Sequence, residues 1–190
     1  VLISGYLVKE VKKVDDGLAV VLSRKLSPRD NAYLAGLELT VTQTFTRDGV
    51  TVNTAIQNTL DDALSFSFRF HNLLDFFQVK DKIAGKATFA DGAVFTRDFF
   101  EKLFQFAEPD SDLEKAFRMD KVFKTTSNTL TVTAPWTTLQ LTAEVPADKL
   151  QCYVFWDSVK QNTSTFEPIF KKTILPPGGK VEYYTRWTLK

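Results

Sequence analysis

Runs in which apolar and polar residues alternate one by one recur along this chain, and that period of two is the signature of half-buried β-strands. Leu37, Leu39, Val41 and Phe45 alternate with Glu38, Thr40 and Thr42, and after Asp48-Gly49 the pattern resumes at Val52, Thr54 and Ile56. An Asp-Gly pair between two such runs predicts a tight hairpin. Asp15-Asp16-Gly17 predicts a second, joining Gly5–Val14 to Leu18–Lys25. In Ser65–His71 the phenylalanines Phe66, Phe68 and Phe70 fall on one face and Ser65, Ser67, Arg69 and His71 on the other. Leu130 and Val132, then Leu139, Leu141 and Ala143, then Cys152, Val154 and Trp156, continue the pattern, and Val181–Leu189 closes it. Thr, Val and Phe supply 22, 17 and 17 of the 190 residues, which suits pleated, half-buried surfaces. One short helix is expected, over Asp98–Phe106, where Phe99, Leu103 and Phe106 fall roughly on one side. Turn signals between the runs indicate an all-β sandwich or barrel. With no repeat and no linker-like tract, residues 1–190 read as one domain.

Charge and composition narrow the chemistry. The 24 Lys and Arg residues balance 23 Asp and Glu and are spread along the whole chain, so neither a nucleic-acid footprint nor a polybasic membrane patch is expected. The longest apolar runs, such as Leu18–Leu22, are far shorter than a membrane-spanning helix needs. The single cysteine, Cys152, excludes an internal disulfide and a multi-cysteine zinc site, and its apolar neighbours mark it as a buried small hydrophobe. Nucleotide-binding glycine loops, nucleophile elbows and HExxH zinc motifs are absent from the sequence. The chain starts at Val1 without a signal-peptide pattern and reads as a processed or excised piece.

Two groups are suited to proton transfer. His71, the only histidine, sits on a polar strand face beside Arg69, where an imidazole can donate a proton near neutral pH; as a lone histidine it reads equally as a solvated strand residue. Glu167 lies between Phe166 and Pro168-Ile169-Phe170, apolar company that favours general-base work, although a strand-end glutamate pointing to water fits the same residues. Trp156, among the tryptophans and tyrosines, offers a flat apolar face for a sugar ring, with core packing as the alternative. Arg69 and Arg186 offer bidentate donors to hydroxyls or a phosphate.

These residues carry a resemblance. Leu37–Phe77, with Asn58-Thr59 followed by Phe66, Phe68 and His71, resembles the central region of the aldose 1-epimerases and their glucose-6-phosphate 1-epimerase relatives. Phe166-Glu167-Pro168 followed by Leu175-Pro176-Pro177-Gly178-Gly179 resembles the family's catalytic-glutamate segment and its turn. The likeness covers about residues 18–190. It implies a galactose mutarotase-like supersandwich of mainly antiparallel sheets and a saccharide ligand. It implies His71 as the acid at the ring oxygen, Glu167 as the base at the anomeric hydroxyl, and neither metal nor cofactor. Family enzymes carry a further histidine and an arginine in an N-terminal segment, which leaves room for an N-terminal companion domain. The same fold also serves as a module of glycan-active enzymes. Three functions therefore stand as expectations: a carbohydrate-binding module, a 1-epimerase, and a structural domain packed against a partner.

Overall fold

The computed structural model describes residues 5–74, 86–96, 117–118, 127–133, 140–158 and 163–190. Among these the regular structure is all strand: β1 (Leu7–Val14), β2 (Gly17–Lys25), β3 (Leu37–Thr46), β4 (Gly49–Asn58), β5 (Leu64–Phe66), β6 (Asn72–Leu74), β7 (Lys86–Phe89), β8 (Val94–Thr96), β9 (Phe117–Arg118), β10 (Thr129–Thr133), β11 (Gln140–Glu144), β12 (Leu150–Ser158), β13 (Thr163–Phe170), β14 (Thr173–Leu175) and β15 (Lys180–Leu189). The helix expected over Asp98–Phe106 lies outside the described residues. The strands fall into two compact units, one of Val1–Ser67 with Lys172–Thr188, the other of Phe68–Lys171 with Leu189–Lys190.

In the first unit β1, β2, β3, β4 and β15 pair antiparallel in that order. The alternation seen in the sequence decides which face is buried. Leu37, Leu39 and Val41 of β3, Ile56 of β4, and Tyr183 and Trp187 of β15 are buried, and the registers Leu39 to Ile56 and Ile56 to Val181 carry that face across the sheet. Both expected hairpins form, with a shift of one residue. The two-residue loops are Asp15-Asp16 and Arg47-Asp48, while Gly17 and Gly49 are already the first residues of the returning strands. A Cβ on Gly17 would stand 1.9 Å from the Phe45 carbonyl oxygen, and one on Gly49 would stand 1.9 Å from that of Trp187. These glycines are needed for close approach of the neighbouring strand rather than for the turn itself.

Asn58 ends β4 fully buried. Its side-chain amide donates to the carbonyls of Asp62 (2.7 Å), Leu175 (3.0 Å) and Pro176 (3.2 Å), and its Oδ1 accepts from the Leu60 N–H (3.0 Å). The Leu175–Gly179 turn singled out in the sequence is thereby tied to the end of β4.

The second unit is a sandwich of two antiparallel sheets, one ordered β11-β10-β7-β8 and the other β6-β13-β12-β9. Leu130, Val132, Phe89 and Ala143 supply the buried face of the first. Tyr153, Phe70 and Phe170 supply that of the second, and the Phe89 and Tyr153 rings meet with centroids 5.1 Å apart. Phe68, Phe70 and Phe170 form a triangle of rings with centroids 5.0 to 6.1 Å apart, within the range for favourable aromatic pairs. Cys152 is buried at a bulge in β12.

The sequence reads Ser65–His71 as one strand; the structure divides it. Phe66 pairs with Thr173 of β14 in the first unit, whereas Phe68 accepts from the Phe170 N–H and Arg69 bridges Ile169 in the second. The backbone changes partners across Ser67, and the register slips by one residue there.

Candidate functional site

The register along β13 brings the candidate residues together. Arg69 stands opposite Ile169 and Asn72 opposite Phe166, so the same spacing sets His71 opposite Glu167 and Arg69 on the adjacent diagonal. Side chains alternate across a strand. Phe68 and Phe70 therefore turn inward toward Phe170, and Arg69, His71 and Glu167 share the outer face.

Glu167 is nonetheless only 3% exposed. Among the described side chains, Arg69 and His71 meet its carboxylate. Arg69 Nη1 lies 2.8 Å from Oε2 and His71 Nε2 lies 3.1 Å from Oε1, while the Arg69 and His71 side chains keep 59% and 53% of their surface in solvent. A buried carboxylate requires a countercharge or strong donors to offset its lost hydration. Arg69 brings the charge and His71 a ring nitrogen at hydrogen-bond distance. The surroundings explain why the strand-end reading of Glu167 fails: the covering side chains come from a segment far away in sequence, Phe68–Asn72, that docks along β13.

Trp156 and Arg186 are the remaining candidates. Trp156 pairs with Thr165, one pleat repeat from the Val154–Glu167 pair and so at a position on the same face; its side chain lies outside the described residues. Arg186 belongs to the first unit, where its guanidinium lies 5.9 Å from the centroid of the Tyr184 ring. The row His71, Glu167, Val154 continues to Arg118 of β9. That position had no signal in the sequence, because β9 spans only two residues and shows no alternation.

This array can do two things chemically. It offers a planar acceptor and two planar donors to a polyhydroxylated ligand, and it sets a proton acceptor and an imidazole side by side. Among the described residues no group of three His, Cys, Asp or Glu side chains is arranged to hold a metal ion.

The architecture is that of the galactose mutarotase-like β-sandwich proteins. A galactose mutarotase-like protein from Clostridium acetobutylicum superposes over 98% of this chain and 67% of its own, with a TM-score of 0.67 at 9% identity. A galactose mutarotase related enzyme from Lactobacillus acidophilus matches over 98% of this chain and 71% of its own, with a TM-score of 0.66 at 10% identity. A galactose mutarotase-like protein from Lactobacillus casei matches over 95% and 72%, with a TM-score of 0.63 at 13% identity. At such identities the likeness is one of fold, and the chain spans about two-thirds of the length of these structures. No protein-family model matches the chain, and no curated protein sequence does.

Proposed function

We propose that this chain is a carbohydrate-binding domain of mutarotase-like fold, with the anomeric end of an aldose seated at Arg69, His71 and Glu167. The observation that carries this reading is the buried Glu167 carboxylate, met at one oxygen by Arg69 and at the other by His71. Sugars present pairs of adjacent hydroxyls, and planar carboxylate and guanidinium groups match such pairs two bonds at a time. The half-exposed Arg69 and His71 heads are open to a ligand arriving from solvent. Trp156 is proposed as a further contact from its register position alone.

The contact between His71 and Glu167 favours a second reading, that the domain interconverts anomers. The ring oxygen and the anomeric hydroxyl are attached to one carbon, so an acid and a base side by side serve both. Protonated His71 would donate to the ring oxygen as Glu167 takes the proton of the anomeric hydroxyl. The bond from C1 to the ring oxygen breaks and C1 becomes a carbonyl. Rotation about C1–C2 and reclosure from the other face, with both protons returned, gives the opposite anomer. No electrons are exchanged with a cofactor, and no metal is required.

Saturation-transfer NMR with freshly dissolved single-anomer aldoses, hexose phosphates and short glucans tests both readings. Transfer without accelerated anomer exchange supports binding alone. Exchange faster than in buffer, abolished in Glu167→Gln, supports the epimerase. Neither signal overturns both readings and leaves a domain that packs against a partner.

A further inference from the structure

We propose that the outer edge of β1 is a docking site for an extended, acidic segment of a partner protein, which adds to the sheet of the first unit as a further strand. The site uses no residue of the saccharide site. Among the described residues β1 ends the strand order of its sheet, next to β2 alone, and all of it but Val14 is exposed. An edge strand presents a row of backbone N–H and C=O groups that another extended chain can pair with.

The buried face of this sheet runs out to that edge. Tyr183, Thr54, Val41, Leu22 and Val8 stand opposite one another on successive strands, and exposure climbs from 1% at Tyr183 through 8% at Val41 to 63% at Val8. The next row runs from Thr185 through Val52, Gln43 and Val20 to Val11, which is 57% exposed. The row after it opens sooner, since Phe45 and Leu18 are both exposed. A register shift between Val8 and Glu10 leaves Lys9 without an opposite residue in β2. Val8 and Val11 therefore oppose Leu22 and Val20, two residues apart, and share one face. With Leu18 and Phe45 they make an apolar patch rimmed by lysine, which is the composition of an interaction surface.

Charge selects the occupant. β1 carries Lys9, Lys12 and Lys13 against Glu10 alone, and Glu10 lies 3.3 Å from Lys12, so the strand has no carboxylate left for Lys9 and Lys13. From Leu7 to Lys25 the hairpin as a whole holds five cations, Lys9, Lys12, Lys13, Arg24 and Lys25, against Glu10, Asp15 and Asp16. A second copy offered to this edge would bring the same lysines, and like charges across a strand pair are unfavourable. Edge lysines keep identical edges apart in this way. They attract an acidic strand, whose apolar side chains at alternate positions would continue the rows that end at Val8 and Val11.

The test is NMR on the isotope-labelled full chain, titrated with a blocked decapeptide of alternating valine and glutamate. A decapeptide of alternating valine and lysine is the control. With the acidic peptide at about ten times its Kd, exchange of the outward-facing amides of Leu7–Val14 is expected to slow on the order of tenfold. Shifts should be confined to β1 and the apolar patch, and the affinity should fall as salt is raised. The lysine peptide is expected to give neither effect. Lys9→Glu combined with Lys13→Glu leaves the pair of Glu10 and Lys12 in place and should reverse the preference between the two peptides. Should that variant not fold, the comparison of the two peptides on the wild-type chain decides alone. No response to the acidic peptide, an equal response to both, or shifts scattered over lysines of the whole surface overturns the proposal. Protection of β1 that rises with the concentration of the chain alone also overturns it, because a second copy would then hold the edge.

Discussion

Asn58 shows how much one buried polar side chain can determine. Its amide donates to three carbonyls where β4 ends and β14 gives way to the turn, one of which, Pro176, also accepts from the Gly179 N–H, and the backbone around it closes further bonds to Gly178 and Gly179. Each buried carbonyl left without a donor costs about 1–3 kcal/mol, partly recovered where water enters. Asn58→Ala should therefore lower stability by roughly 2–4 kcal/mol in equilibrium denaturation. Asn58→Asp has nearly the same shape but offers no donor to the three carbonyls, and should be at least as damaging. Tolerance of Asp with intolerance of Ala would mean that Asn58 acts by filling space. Glu167 makes a related point about charge. Its apolar sequence neighbours suggest apolar surroundings, yet an arginine and an imidazole on its own face lie within 3.1 Å of its carboxylate oxygens.

At the scale of strands, the hairpin glycines carry a prediction that differs from the usual reading of an Asp-Gly turn. A turn glycine is replaceable by a residue that tolerates a left-handed conformation, such as Asn. Gly17 and Gly49 instead face a neighbouring carbonyl at 1.9 Å from any added Cβ, so Ala and Asn should both be costly. Gly49→Ala forces β4 away from β15, and Gly17→Ala forces β2 away from β3. Each is expected to lose on the order of 1–3 kcal/mol, as overpacked sites do, measurable as a lowered denaturation midpoint. A change below about 0.5 kcal/mol, the range of ordinary surface substitutions, would show that the strands separate easily there. The same elements show what the sequence could disclose. Alternation made β3, β4 and β15 legible and the Asp15-Asp16-Gly17 signal made β1 and β2 so, because period, face and turn chemistry are local properties. It also set Arg69 and His71 correctly on the face opposite the phenylalanines. It could not show that Ser65–His71 changes partners at Ser67, nor that His71 meets Glu167, since pairing register between distant strands is a tertiary property. Nor could it assign Arg186 to the first unit, because a strand's residue pattern does not name its neighbours.

For the whole molecule, the ionisable groups that folding perturbs among the described residues are divided between the units and act at opposite ends of the pH scale. In the first unit the Ser27 N–H (2.9 Å) and hydroxyl (2.8 Å) donate to Asp30, and Arg24 pairs with its other oxygen; these hold the carboxyl below its ordinary 3.8. A depressed carboxylate contributes stability above the unfolded value, and that contribution disappears as pH falls from 3.8 through the lower folded value. In the second unit burial pushes the Tyr153 phenol above its ordinary 10.0, and Tyr6 of the first unit is raised for the same reason, with Arg24 opposing. The unfolded phenol releases its proton first, so this contribution is complete below 10.0 and declines as pH rises beyond it. The thermal midpoint should then form a plateau with an acid limb below 3.8 and an alkaline limb above 10.0. Asp30→Asn should flatten the acid limb while lowering the plateau, because the charged contacts to Ser27 and Arg24 are weakened at every pH where Asp30 is ionised. Tyr153→Phe keeps the ring that packs on Phe89 and should flatten the alkaline limb, leaving the smaller part that Tyr6 supplies. An acid limb unchanged in Asp30→Asn would show that the Leu26–Gly36 loop is already released before the fold gives way, and would place acid sensitivity on other carboxylates. An alkaline limb unchanged in Tyr153→Phe would likewise move the alkaline transition from the sandwich core of the second unit to Tyr6, the residue before β1.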